Sequence, residues 1–282
     1  MRIKVVIFGL ISLFLVSYVS FGQKNIGEQK SKANKALSRR YKTKEAKYEA
    51  AKNYYAKGSY LTASQLFEEL YPLYLSLPEG DTILFLYADS YLKNNDYLMA
   101  AFHFRDYVRR YPQSERAEEA RFLAAKAYYL NTPAYNLDQS DSHIAMEELE
   151  IFTNAYPQSP FVPQCNAMMD TLYNKLAHKD FNIAKMYHRT GNYESAAIAF
   201  ENILRDFPGS NYIEETFFYL VKNSYLYARK SVIAKQVERY QSVIDNKNKL
   251  KAFNDKSKYL AEAEKLADEA QIKRNKILEN KQ

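Results

Sequence analysis

From about Glu45 onward the apolar residues of this chain recur at helical spacing almost without interruption, beginning with Tyr48, Ala51, Tyr54 and Tyr55. No stretch alternates polar and apolar positions with the Val, Ile and Thr content of a strand, so the pattern predicts an all-α chain. The same short frame returns along it. Gly58-Ser59-Tyr60 is followed by Ala63 and Phe67. Asn95-Asp96-Tyr97 is followed by Ala100 and Phe104, and Gly191-Asn192-Tyr193 by Ala196 and Phe200. A weaker copy keeps Ala145 and Leu149. The offsets of three and four place each set on one helix face, with a small residue where two helices cross and a large one beside it. Upstream of each frame lies a small-then-Tyr pair: Ala51/Tyr54, Ala88/Tyr91, Ala125/Tyr128 and Ala184/Tyr187.

Three frames close on an aromatic-Pro step, at Tyr111-Pro112, Tyr156-Pro157 and Phe207-Pro208. Proline stops a helix because the residue before it avoids the α region. Ser114, Ser159 and Ser210 follow, each placed to cap the next helix, and Pro160 fits the first helical position. The repeats are uneven: Ala63 to Ala100 is 37 residues, Ala100 to Ala145 is 45, and Ala145 to Ala196 is 51. An insertion at 131–140 separates the helices of the third unit. The stretch 161–188 implies an extended first helix in the fourth. A fifth unit starts at 211–227, its second half, 235–254, loses the Ala and Pro landmarks, and 257–278 reads as a basic capping helix where stacking stops.

Composition sharpens this. The chain holds 7 Gly against 26 Tyr and no Trp, where average usage gives about 20 Gly. With so few, no GxGxxG or GxxxxGK[ST] phosphate loop can be written. The single Cys165 rules out an internal disulfide or a cysteine zinc cluster and is expected to be half-buried. Residues 1–22 read as a secretory signal peptide: Arg2 and Lys4, an apolar run from Val5 to Val19, then Ser20-Phe21-Gly22, with the mature chain starting at Gln23. No Cys lies near residue 20 to make a lipobox. Residues 23–44 form a flexible basic leader, and 45–282 the repeat domain, with N-terminal repeats to about 160 and C-terminal repeats from 161. Residues 23–57 carry 11 basic and 3 acidic side chains, 58–228 carry 13 and 22, and 229–282 carry 14 and 8. An acidic middle between basic ends is not the continuous stripe that nucleic acid requires. The basic ends suit anionic headgroups or an acidic partner.

The repeat frame resembles the tetratricopeptide repeat, a helix-turn-helix unit. Gly58 and Gly191 match its inter-helix turn, Ala63, Ala100, Ala145 and Ala196 its small second-helix residue, and Pro112, Pro157 and Pro208 its closing proline. The resemblance implies an α-solenoid of about five helix-turn-helix units with a C-terminal capping helix. The stretches 51–74, 96–112, 135–157 and 183–208, with the YNLDQSD insertion starting at Tyr135, are similar to the BamD family of outer-membrane assembly factors. That similarity implies a periplasmic scaffold at the outer membrane of a Gram-negative bacterium. Its partners would be unfolded outer-membrane proteins and, through its C-terminal repeats, a BamA-like barrel subunit. Members are normally lipoproteins, so without a lipobox Cys the peripheral membrane association is expected to rest on the partner, helped by the basic leader. The alternative is another exported tetratricopeptide adaptor of a cell-envelope or secretion complex.

No catalytic constellation stands out. His103, His143, His178 and His188 form no HExxH and no i,i+4 pair, so neither a metal nor a cofactor is expected. Glu147, Glu148 and Glu150 read as a solvated helix face. Candidate binding residues are more numerous. First helices of tetratricopeptide units line a groove, and the consensus frame puts Tyr48, Lys52 and Tyr55 there, then Phe85, Asp89 and Lys93, then Phe122, Lys126 and Tyr129. Aromatics beside Lys suit a client segment that ends in an aromatic residue and a carboxylate. The competing assignment for these aromatics is packing between units.

Overall fold

The computed structural model describes residues 40–280. The signal peptide 1–22 and the leader up to residue 39 lie outside the described residues. Helices follow one another from end to end, with no strand among the described residues. They are α1 (Lys44–Ala56), α2 (Tyr60–Tyr74), α3 (Glu79–Lys93), α4 (Tyr97–Arg110), α5 (Ala117–Leu130), α6 (Ser140–Ala155), α7 (Val162–Arg189), α8 (Tyr193–Asp206), α9 (Ile213–Arg229), α10 (Ile233–Phe253) and α11 (Leu260–Glu279). None of the described helices is long and apolar enough to cross a membrane. The chain forms two compact units that part after Asn131, inside the third repeat.

The repeat landmarks sit where the frame put them. Ala51, Ala88, Ala125 and Ala184 are fully buried, as are Ala63, Ala100, Ala145 and Ala196. So are Phe67, Phe104, Leu149 and Phe200, each worth about 1.5–3 kcal/mol of burial. The inter-helix turn is built identically three times. Gly58 and Gly191 take φ of 75° and 82°, and Asn95 takes 61°, the left-handed region that Gly and Asn tolerate. In each, the next residue's N–H reaches back to the helix that is ending: Ser59 to the Tyr54 carbonyl, Asp96 to Tyr91 and Asn192 to Tyr187, all at 2.9 Å.

In unit 1, helices α1 to α5 enclose one core around Leu66, Phe67, Ile83, Leu84, Phe104 and Tyr107. Gly80 enables the step from α2 to α3, because a Cβ there would meet the Tyr74 carbonyl oxygen at 2.3 Å and the Tyr111 hydroxyl at 2.7 Å. In unit 2, α7 to α9 pack around Phe181, Phe200 and Ile203. Helices α9 to α11 close a further cluster on Val221, Tyr240, Val243 and Leu250, so the fifth repeat and the cap fold without the Ala and Pro landmarks.

Four expectations need correction. Ser114, Ser159 and Ser210 are not helix caps: the first two accept through their hydroxyls from the N–H two residues on, those of Arg116 and Phe161, and form tight turns before the helix begins, and the buried Ser210 hydroxyl makes no hydrogen bond. Pro160 precedes α7, and Pro163 takes the place near its start. Glu148 is buried, because it stands three residues after Ala145 on the inward face of α6, while Glu147 and Glu150 are exposed. Cys165 is fully buried rather than half-buried.

Candidate functional site

Unit 1 carries all nine residues of the expected groove, on α1, α3 and α5. Two of them are packing residues. Phe85 is buried, its ring edge-on to Phe104 and Tyr107 at 5.5 Å from each and covered by the Arg116 guanidinium at 5.1 Å. Phe122 is also buried, with the Lys126 ammonium 5.9 Å from its ring. A consensus frame assigns a face but not a depth, and both rings are buried, Phe85 against α4.

Tyr55, Asp89 and Lys93 converge from two repeats. The Tyr55 hydroxyl donates to the Asp89 carboxylate. The Lys93 ammonium donates to the Tyr55 hydroxyl at 2.5 Å and stands 3.0 Å from Asp89. It also lies over two rings, 4.6 Å from the centroid of Tyr55 and 5.6 Å from that of Tyr60. Asp89 is buried, and these two donors satisfy its carboxylate. Burial raises the Tyr55 pKa, and the bond to Asp89 adds to the effect. Burial disfavours the Lys93 ammonium, but its bonds to Tyr55 and Asp89 outweigh that and raise its pKa. One turn earlier on α1, Lys52 pairs with Glu49 at 2.6 Å and lies 4.7 Å from the Tyr48 ring. Tyr129, like Tyr48 and Tyr55, is half-buried. The result is a strip of tyrosine faces and solvent-reachable ammonium groups, able to stack a ring and pair a carboxylate.

Unit 2 repeats this frame, which the expected site left out. Counted from Ala184 as from Ala51, the positions of Tyr48, Lys52 and Tyr55 become Phe181, Lys185 and His188 on α7. Lys185 lies 5.0 Å from the rings of Phe181 and Tyr219. His188 Nδ1 lies 3.1 Å from Asn223 Oδ1, a contact matching Tyr55–Asp89 with a neutral pair. Burial lowers the His188 pKa. The shared offset was the signal that could have found this site.

No group of three His, Cys, Asp or Glu among the described residues could hold a metal. His103 lies among rings, its own centroid 4.3 Å from Tyr87 and 5.3 Å from Tyr91.

Comparison with known proteins places the chain in a family. The family model described as outer membrane lipoprotein, YfiO, matches residues 40–239. The chain is 28% identical over 232 residues to a candidate outer membrane protein assembly factor BamD of Aquifex aeolicus, covering 82% of this chain and 72% of that one. It is 24% identical over 131 residues to the outer membrane protein assembly factor BamD of Helicobacter pylori, covering 45% of this chain and 60% of that one. Among solved structures, the P58(IPK) TPR domain aligns over 90% of this chain and 71% of that one, at 14% identity and a TM-score of 0.38. The chain belongs to the YfiO family of outer membrane lipoproteins, alongside relatives named as BamD assembly factors.

Proposed function

We propose that this protein is a non-enzymatic scaffold that helps fold and insert β-barrel proteins into the outer membrane from the periplasmic side. Unit 1 holds the client, and the C-terminal repeats bind a BamA-like barrel subunit. Family membership and the relatives' names support the assembly role. The observation that carries the client reading is the Lys93 ammonium set over Tyr55 and Tyr60, with Asp89 beneath it as counter-ion. Lys93 keeps 42% and Lys52 41% of its side chain exposed, so both can meet an incoming carboxylate while the tyrosines stack its neighbouring ring.

The test is binding of a peptide copied from the C-terminus of an outer-membrane barrel protein. Tyr55→Ala combined with Tyr129→Ala should weaken it about tenfold, or ~1.4 kcal/mol, with the helical circular dichroism spectrum unchanged. Unchanged affinity in the folded double variant rejects the groove.

A further inference from the structure

The insertion that distinguishes the third repeat is fastened along α7. Lys175 donates to Thr132 Oγ1 at 2.6 Å and to the Pro133 carbonyl at 3.2 Å, and Lys179 donates to the Leu137 carbonyl at 2.8 Å. Inside the loop, buried Gln139 donates to the carbonyls of Ala134 and Leu137 at 2.8 and 3.1 Å and accepts from the Ser142 hydroxyl at 2.8 Å. The Tyr135 ring lies on His178 with centroids 4.0 Å apart. These bonds satisfy the loop's own backbone groups and hold it as a wall.

Between this wall and α7 lies an open hollow of about 540 Å³, where Lys179, Lys185 and Arg189 alternate with Ile183 and Met186 beside Tyr135. A second hollow of about 420 Å³ shares Lys185 and Arg189 and continues to Tyr219 and Lys222. No Asp or Glu lines either one. Carboxylates do stand near these cations, all outside the lining: Glu215 at 3.5 Å from Lys185 and Glu262 at 3.3 Å from Lys222 form solvent-screened pairs of small worth, and Asp138 and Asp180 lie close enough to Lys179 to feel its charge. Met186 and Ile183 remain exposed at 43% and 36%. The trough is therefore cationic and apolar together, within a part of the chain whose overall charge is negative.

We infer that this trough is a second protein-binding site, which takes an extended acidic segment of a partner with carboxylates interleaved among apolar side chains. The carboxylates pair with Lys185, Arg189 and Lys222. The apolar side chains lie on Ile183, Met186 and Tyr219, since neighbouring side chains of an extended segment point to opposite sides. Charge complementarity selects this occupant over the segment expected in unit 1, whose groove already holds the carboxylate of Asp89. The inference rests on the scaffold reading only in taking the ligand of unit 2 to be a protein.

The experiment uses the full chain and a fluorescein-labelled, end-blocked decapeptide of alternating Glu and Leu, with Gln/Leu and Lys/Leu versions as controls. Fluorescence anisotropy should show binding of the Glu/Leu peptide, at least tenfold weaker binding of Gln/Leu, and none of Lys/Leu. Arg189→Glu with Lys185→Glu should cost at least tenfold, while Tyr55→Ala with Tyr129→Ala should cost nothing. Arg189→Glu alone, at an exposed position, should cost at least threefold and keeps the test valid if the double variant does not fold. Equal affinity for Glu and Gln peptides, or unchanged affinity in Arg189→Glu, overturns the inference. So does loss of binding in the unit 1 variant, or capture of anionic phospholipid vesicles in place of the peptide. Co-purification of the barrel subunit is scored separately: if it persists while the peptide fails to discriminate, the second site falls and the scaffold reading stands. If it fails while the peptide discriminates, the reverse holds.

Discussion

Acidification from pH 7.5 to 4.5 should loosen unit 1 through a single imidazole. His103 lies on α4 among Tyr87, Tyr91 and Phe102. Its Nε2 is buried without a hydrogen-bond partner. Burial brings its pKa down to about 4 from 6.5, and the nearby carboxylates of Asp106 and Asp96 oppose this only in part. The unfolded chain therefore binds a proton on this ring between pH 6.5 and about 4 that the folded chain refuses, so stability is full above 6.5 and falls as the pH drops. With these two values, linkage gives a loss of up to ~2.5 kcal/mol at pH 4.5, lowered by the solvent contact the ring retains. His103→Phe keeps the ring contacts and removes the titration. Urea unfolding at both pH values, followed by far-UV circular dichroism and by hydrogen exchange of the α3 and α4 amides, measures the difference. The wild type should lose about 1–2.5 kcal/mol more than His103→Phe on acidification. Equal losses would refute the assignment of this acid sensitivity to His103.

Gly80→Ala should destabilise unit 1 by about 1–3 kcal/mol, because the added Cβ has only the Tyr74 backbone and the Tyr111 hydroxyl to enter; a thermal melt that matches the wild type contradicts this. The Cys165 thiol, fully buried in α7 and with its pKa pushed up to about 11 by that burial, should react with a disulfide reagent at pH 8 far more slowly in the native protein than in urea. Labelling at the same rate in both would mean that this part of α7 is open.

Much of the fold was legible because a helix crossing and a left-handed turn each accept few residue types. Ala63, Ala100 and Ala196 mark crossings, and Gly58, Asn95 and Gly191 mark turns, so the frame located α1 to α4, α7 and α8 directly. The insertion was legible from the missing landmarks between Leu130 and Ser140, and the long α7 from the spacing to Gly191. Side-chain depth was not legible. The consensus frame put Phe85 in an open groove, but its ring packs on Phe104 and Tyr107 of α4, a relation that the periodicity of α3 alone does not contain. The convergence of Tyr55, Asp89 and Lys93 follows from one repeat stacking on the next, a relation 34 residues apart that spacing within a helix does not express. The serines show the same limit at short range: Ser114 and Ser159 carry the right chemistry for a cap, but each stabilises the turn that precedes its helix.

The central claim is that this chain works as a partner-binding scaffold in outer-membrane protein assembly. Its most direct test is affinity purification of the tagged full chain from its own envelope after mild detergent solubilisation. The account predicts recovery of the barrel-forming assembly subunit in defined stoichiometry, retained when Tyr55 and Tyr129 are replaced, since that subunit is proposed to bind the C-terminal repeats. Absence of the barrel subunit under gentle solubilisation would contradict the account and favour an adaptor of another envelope complex.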